Sequence, residues 1–187
     1  TGAHAGRTLI DFQKKIGKKI PENFLVFVHN PYENLEYIGE TSFGTPIHVN
    51  REVMDCDLKI SLGAMLPHFG FGYGGGSKML LPGVSGIESI SKNHHIREGT
   101  GPGMVVENRR RLDSEEAAGM AGLDFIINVF LNGNCDASDI VCGDPVEAHR
   151  AGMDIAKEHY ATKIVEDADI AIGNGYPMAN EDRKSVV

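Results

Sequence analysis

The stretch "CDLKISLGAMLPHFGFGYGGGSK", Cys56 to Lys78, decides the fold because it joins a strand-like run to a glycine-rich loop. Its opening, "CDLKISLG", predicts a strand that delivers His68 just past its carboxyl end. Five glycines and three aromatic side chains then separate His68 from Lys78. Glycine costs conformational entropy, so such a run persists where the backbone takes positive φ or comes close to a bound group. We interpret the stretch as a ligand loop that follows a strand.

Strands and helices alternate on both sides of this loop. The other predicted strands are Phe24–His29, Thr45–Asn50 and Asp124–Asn132. The predicted helices are Leu9–Ile20, Gly86–His94, Asp113–Leu123 and Asp144–Tyr160. This order predicts an α/β fold, a layered sandwich with a mostly parallel or mixed sheet flanked by helices and with ligand loops at the carboxyl edge of the sheet.

The composition is that of a globular domain with small-molecule partners. The chain has 187 residues, of which 41% are hydrophobic and 24% charged, so one domain with its own core is expected. A net charge of -8 gives no electrostatic footprint for nucleic acid or an anionic membrane. Because Asp124 and Asn128 interrupt the longest apolar run, no membrane span is predicted.

The cysteines indicate a reducing compartment. Cys56, Cys135 and Cys142 are odd in number and lack C-x-x-C spacing, which predicts neither a disulfide framework nor a zinc knuckle. A cytoplasmic location is therefore expected. The chain opens on "TGAH" and ends on "EDRKSVV", and we interpret residues 1–187 as one excised domain of a longer protein.

The loop also invites three other interpretations: a dinucleotide site, a Walker A loop and a tight surface turn. Gly70 to Gly75 fits G-x-G-x-x-G, but a dinucleotide site also needs a carboxylate about 20 residues on, and Glu88 is too early. A Walker A loop fails because Ser77 precedes Lys78 instead of following it. A tight surface turn stays open, although five glycines exceed what one turn requires.

Three histidines lie in or beside glycine or asparagine loops, where side chains converge on ligands: His4, His68 and His94. His94 and His95 are adjacent, so only one of them is expected to bind a given ion, and nickel and zinc both accept imidazole. The remaining histidines lie on predicted strands or helices and are interpreted as structural or surface residues; they are His29, His48, His149 and His159.

These motifs together resemble the nickel-pincer lactate racemase family. The shared patterns, in chain order, are "TGAH", "GTPIHVNR", H-x9-K-x3-PG-x9-NH from His68 to His94, "FIINVFLN", "GDPVEAHR" and "NGYP". The resemblance extends over nearly the whole chain. It implies the amino-terminal catalytic domain of that family, truncated at both ends and without the carboxy-terminal domain of the same protein.

The resemblance also implies a cofactor and residue roles. The cofactor is a nickel-pincer nucleotide, a pyridinium-3-thioamide-5-thiocarboxylic acid mononucleotide that holds nickel. By position, Lys78 matches the tethering lysine, His94 the nickel ligand, and His4 and His68 the two acid/base histidines. The loop glycines Gly72, Gly74, Gly75 and Gly76 are expected to bring the backbone close to the cofactor ring and phosphate.

The implied activity is racemisation or epimerisation of a 2-hydroxy acid by hydride transfer to that cofactor. Two histidines suit this reaction because an ordinary imidazole pKa near 6.5 allows proton transfer on both faces of the substrate at neutral pH. The isolated chain is expected to be inactive, since the family's site lies between two domains. The alternative hypothesis is a non-catalytic nucleotide or cofactor-binding module built on the same glycine-rich loop.

Overall fold

The computed structural model describes residues 2–3, 8–101, 107–162, 167 and 169–170. The helices are α1 (Leu9–Ile16), α2 (Lys19–Asn23), α3 (Arg51–Met54), α4 (Ile87–His95), α5 (Arg109–Met120), α6 (Glu147–His159) and a 3₁₀ helix, Gly76–Met79. The strands are β1 (Leu35–Glu40), β2 (Pro46–Asn50), β3 (Ile60–Ala64), β4 (Pro67–His68), β5 (Gly72–Tyr73), β6 (Phe125–Leu131) and β7 (Ala137–Gly143). In these ranges no helix is long and apolar enough to cross a membrane.

A mixed sheet of β3, β6 and β7 carries the loop. β3 and β6 are parallel, with Ile60 opposite Phe125, and β6 continues through a turn into the antiparallel β7. The glycine-rich segment begins just beyond the carboxyl end of β3. The predicted α/β class, the mixed sheet and the loop position at the sheet's carboxyl edge are confirmed.

The two faces of this sheet differ in burial. Alternate β6 residues Ile126, Asn128 and Phe130 are fully buried beneath the glycine-rich loop and α6. The core on that side contains Met65, Tyr73, Phe130, Met153 and Ala156. Cross-strand partners share a face, and the opposite face exposes apolar side chains, with Leu62 at 64% and Ile140 at 62%.

A second core lies under the β1–β2 hairpin. It joins that hairpin to α5 and to the end of the 3₁₀ helix, and its buried members are Ile47, Val49, Leu80, Leu81, Ala117 and Ala121. The hairpin and α4 are further connected because Ser89 donates a hydrogen bond to the Pro46 carbonyl at 2.6 Å. The two cores therefore meet at the loop, which contributes Tyr73 to one and leads into Leu80 of the other.

Several predicted elements differ from the structure. Phe24–His29 forms no strand, because no neighbouring strand pairs with it in the described residues. The predicted helix Leu9–Ile20 is interrupted at Gly17, whose φ of 78° is outside the helical region. α5 begins at Arg109, four residues before the predicted start, because the Asn108 side chain caps it by accepting a hydrogen bond from the Arg111 backbone N–H.

Candidate active site

His68 lies at the end of β4 and faces the loop that follows it. Its Nδ1 accepts hydrogen bonds from the backbone N–H groups of Gly70 (3.1 Å) and Phe71 (3.2 Å). A ring nitrogen that accepts carries no proton, so the proton of the neutral ring is on Nε2. The loop's own backbone thus fixes both the tautomer and the ring orientation of His68.

Phe71 lies at the centre of the site, and the sequence had not singled it out. Its ring is fully buried. The ring centroid is 5.5 Å from that of His68, 6.0 Å from that of His94 and 5.3 Å from Lys78 Nζ. The structure therefore brings together three of the residues that the sequence predicts, around one aromatic ring. His4 lies outside the described residues.

Lys78 belongs to the 3₁₀ helix that ends the glycine-rich loop and is half-buried. Its ammonium group lies over the Phe71 ring, where the negative face of the aromatic attracts a cation. Its backbone carbonyl accepts a hydrogen bond from the Gly83 N–H at 3.1 Å. The short helix and this turn together direct the amine toward the Phe71 side of the loop.

His94 lies in the last turn of α4 and has the geometry of a metal ligand. Its Nδ1 is 2.8 Å from the Ile90 carbonyl, which can only accept a hydrogen bond, so Nδ1 carries the proton and Nε2 the lone pair. A backbone carbonyl that orients the ring in this way is the usual second partner of a metal-bound histidine. The adjacent His95 is bonded to the Ser91 carbonyl and is exposed, so only His94 lies against Phe71.

The loop glycines are all buried. At several of them a side chain would collide with other atoms of the same chain, so glycine is needed there even without a ligand. A Cβ at Gly74 would lie 2.6 Å from the Ala64 carbonyl oxygen, and one at Gly76 would lie 2.7 Å from His149. Gly75 has a φ of 68°, and its Cβ would meet the Asn128 amide at 2.3 Å. Contact of Gly72, Gly74, Gly75 and Gly76 with a cofactor stays a prediction.

Two side chains beneath the loop support it. Asn128 Oδ1 accepts the Gly76 N–H at 3.0 Å, and His149 Nε2 donates to the Gly74 carbonyl at 3.0 Å. Burial, and next the positive charge of Arg111, lower the pKa of His149 to about 3, so its ring is neutral. The structural interpretation of His149 from the sequence agrees with this position.

Arg110 and Arg111 precede the helix that the sequence predicts from Asp113 and were not singled out by the sequence, yet both belong to the site. Their guanidinium carbons lie 5.7 and 5.5 Å from the Phe71 ring centroid. Arg111 is fully buried, and burial lowers its pKa to about 10, which leaves it charged at neutral pH. Together with Lys78 these residues surround one ring with three cations, an environment that favours an anionic ligand.

The described residues contain no cluster of three or more histidine, cysteine, aspartate or glutamate side chains that could hold a metal ion. Beside Phe71, His94 would offer a metal one imidazole nitrogen, and a cofactor that brings donors of its own would complete the coordination. A pincer that supplies its own sulfur and carbon donors fits this arrangement, and the Lys78 amine and the cations around Phe71 fit its acyl and phosphate groups.

An open cavity of about 420 Å³ lies elsewhere, between the extended residues near Phe27 and the edge strand β3. Its walls include Leu58, Ile60 and Leu62 and none of the predicted site residues. This cavity and the convergence of side chains on Phe71 are therefore separate features of the molecule.

The fold and site define an α/β domain that presents a lysine, two histidines and buried arginines around one glycine-rich loop. The model of the lactate racemase N-terminal domain matches residues 1–101, and the chain belongs to this family. Two curated lactate racemases are each 32% identical to it. The one from Thermoanaerobacterium thermosaccharolyticum aligns with 100% of the chain and 45% of its own length, and that from Lactiplantibacillus plantarum with 95% and 44%.

Solved structures give the same fold. The lactate racemase apoprotein from T. thermosaccharolyticum superposes with a TM-score of 0.82 at 30% identity, over 85% of this chain and 40% of that one. A Thermotoga maritima protein of 21% identity superposes with a TM-score of 0.72, over 88% of this chain and 46% of that one, which supports the fold alone. The chain spans less than half the length of the curated relatives it matches.

Proposed function

We propose that the whole protein is a racemase or epimerase of a 2-hydroxy acid that uses a nickel-pincer nucleotide, with His4 and His68 as alternating acid and base. The observation that carries the proposal is the convergence of His68, Lys78 and His94 on the Phe71 ring. Family membership supports it, since the curated relatives are named lactate racemases.

His94 and Lys78 are the residues that would hold the cofactor. His94 would bind nickel through Nε2, and the Lys78 amine would form a thioamide with a thiocarboxylic acid group of the cofactor, with release of water, so that the cofactor stays attached. When bound, the nickel-pincer nucleotide supplies a carbon that accepts and returns hydride. Arg110, Arg111 and Lys78 would neutralise anionic groups of the cofactor and the substrate carboxylate.

His68 would handle the proton of the substrate hydroxyl. In the described geometry Nδ1 accepts from the loop backbone, so the neutral ring presents an Nε2–H that would hydrogen-bond to the substrate oxygen. To take or give a proton at Nε2, the ring would have to be protonated on Nδ1, and Nδ1 would then have to release the Gly70 and Phe71 N–H groups. The opposite face of the substrate would be served by His4.

The test is nickel retention by the full-length protein produced together with the cofactor-making enzymes. Metal analysis and ultraviolet-visible absorption should show bound nickel, and chiral chromatography should show interconversion of 2-hydroxy acid enantiomers. Lys78→Ala and His94→Ala should each lower nickel content, and Lys78→Ala should remove a covalent adduct seen by mass spectrometry. Lys92→Ala and His95→Ala, on the exposed part of α4, are the matched controls.

Undiminished nickel in both Lys78→Ala and His94→Ala would refute the assignment. A bound nucleotide without nickel or turnover would instead support the binding-module alternative. We further propose that the substrate is a small 2-hydroxy acid and that the protein acts in the cytoplasm. Residues 1–187 alone are proposed to be inactive, because the rest of the protein completes the site. Measurable racemisation by this chain alone would contradict the last point.

A further inference from the structure

Two consecutive arginines at the start of α5 contact the two separate halves of the site. Successive side chains on a helix diverge by about 100°, so Arg110 and Arg111 reach in different directions. Arg111 extends to the glycine-rich loop that leads to Lys78, and Arg110 extends to the end of α4, which carries His94.

Arg111 forms hydrogen bonds with three carbonyl groups of the loop. Its guanidinium donates to the carbonyls of Phe71 (3.4 Å), Gly75 (3.2 Å) and Tyr73. It is fully buried, and in the described residues it forms no salt bridge with a carboxylate. The loop carbonyls and the nearby negative charge of Glu115 compensate this buried charge, which makes the loop conformation and the arginine mutually dependent.

Arg110 does the same for α4. Its Nη2 donates to the His94 carbonyl at 2.8 Å, and its Nε donates to the Ile96 carbonyl at 3.0 Å. These are carbonyls at the carboxyl end of a helix, where a cation is favoured. In return, the buried Asn93 amide donates to the Arg110 carbonyl at 3.0 Å, so α4 and the start of α5 hold each other.

The start of α5 is itself fixed to the loop. Asn108 caps the helix by accepting the Arg111 N–H at 3.0 Å, and its side-chain amide donates to the Gly70 carbonyl at 3.2 Å. One helix terminus therefore contacts the loop near His68, the loop before Lys78 and the turn that contains His94.

We propose that Arg110 and Arg111 are positioning residues that set the separation between Lys78 and His94, so that both reach the same bound cofactor. This inference rests on the proposed function, because it takes His94 as the nickel ligand and Lys78 as the tether. The planar fork of arginine can hold two carbonyls in a fixed geometry, which the single ammonium group of lysine cannot reproduce.

The test compares Arg110→Lys with Arg109→Lys in the full-length holoprotein. Arg109 is the adjacent residue, its side chain is exposed and it pairs with Glu98, so its change to lysine preserves charge without touching the site. Arg110→Lys should lower nickel affinity on the order of ten-fold and shift the nickel absorption band, while Arg109→Lys should match wild type in both. Thermal unfolding of the metal-free proteins separates a site effect from a loss of fold.

Arg110→Gln, which removes the charge and keeps one donor, serves as the second variant if Arg110→Lys does not fold. Equal nickel affinity and absorption in the Arg110 and Arg109 variants would overturn the positioning role while leaving the proposed function intact. If wild type binds no nickel and His94→Ala changes nothing, both the proposed function and this inference fail.

Discussion

The Nδ1 of His68 accepts a hydrogen bond from the backbone N–H of Phe71 at 3.2 Å. Phe71, at the centre of the site, therefore also helps to determine which ring nitrogen of His68 carries the proton. His94 has the opposite arrangement, with Nδ1 donating to the Ile90 carbonyl. The two histidines that flank Phe71 are therefore held in different tautomers. One presents an N–H at Nε2 and the other presents a lone pair there, as a hydrogen-bond donor and a metal ligand would respectively.

We predict that the neutral rings of His68 and His94 carry their protons on Nε2 and Nδ1 respectively. Long-range ¹H–¹⁵N spectra of histidine-labelled protein near pH 8 report each ring, and residue assignments come from single histidine substitutions. His95, whose Nδ1 bonds to the Ser91 carbonyl, is an internal control and should resemble His94. The same tautomer at His68 and His94 would contradict the described geometry.

Gly75→Ala should destabilise the protein strongly. Its φ of 68° strains any residue with a Cβ, and the new methyl would lie 2.3 Å from Asn128 Oδ1. We expect a loss of about 2–4 kcal/mol in the free energy of unfolding, combining backbone strain with a core that must shift. Urea denaturation measures it.

Gly119→Ala is the matched control for that prediction. Gly119 lies in α5, is exposed and has open space around its Cβ position. Alanine there should raise stability by about 0.5–1 kcal/mol, because it lowers the entropy lost on helix formation. A Gly75→Ala protein as stable as Gly119→Ala would show that the loop tolerates a side chain.

Lowering the pH should reduce the free energy of unfolding because of His149. Its pKa is lowered to about 3 in the folded state, chiefly by burial, while the unfolded chain has a pKa near 6.5. The unfolded state therefore binds the extra proton, so this contribution to stability is complete above pH 6.5 and is lost as the pH falls toward 3. At pH 4.5 the loss is about 2–3 kcal/mol.

His149→Gln tests this, since glutamine can donate to the Gly74 carbonyl and does not titrate. The difference in unfolding free energy between pH 7.5 and pH 4.5 should be about 2–3 kcal/mol smaller in His149→Gln than in wild type. His159→Gln, on the same helix and bonded to the Leu131 carbonyl, is the control. An unchanged pH dependence would mean that His149 is not buried as described.

Asp113→Ala should also be costly. This buried carboxylate accepts hydrogen bonds from Thr41 Oγ1 (2.6 Å), Thr45 Oγ1 (2.9 Å) and Asn93 Nδ2 (2.8 Å). Removing it leaves these donors unpaired in the core, for an expected loss on the order of 3–5 kcal/mol. Asp154→Ala, in an exposed pair with Lys157, should cost less than about 1 kcal/mol by the same denaturation assay.

The sequence pattern alone places candidate site residues at loops. His68 and Lys78 were found because a strand and a glycine run bracket them, and the structure places both beside Phe71. The mixed sheet followed from the strong apolar run at Phe125–Leu131 and its turn residues. Local signals of this kind depend on neighbouring residues, so they are visible in a single chain.

The supporting residues could not be predicted in this way. Arg111, Asn128 and His149 act on backbone groups that lie 36 to 75 residues away in sequence, and such contacts depend on the tertiary fold. An arginine-rich stretch resembles a solvated loop until burial is known. Strand β1 was missed because Glu36 and Gly39 break the apolar alternation, and its pairing with β2 determines its conformation.

The bare face of the mixed sheet has a consequence for handling the chain. Ile60 and Leu62 on β3 and Ile140 on β7 present branched apolar side chains to water on the two outer strands of the sheet, and in the described residues β3 pairs only with β6. Exposed apolar surfaces of this kind promote aggregation during synthesis and refolding. Yield and monodispersity of this chain should therefore rise with a charged substitution at Leu62, which lies on the face of the sheet opposite the loop.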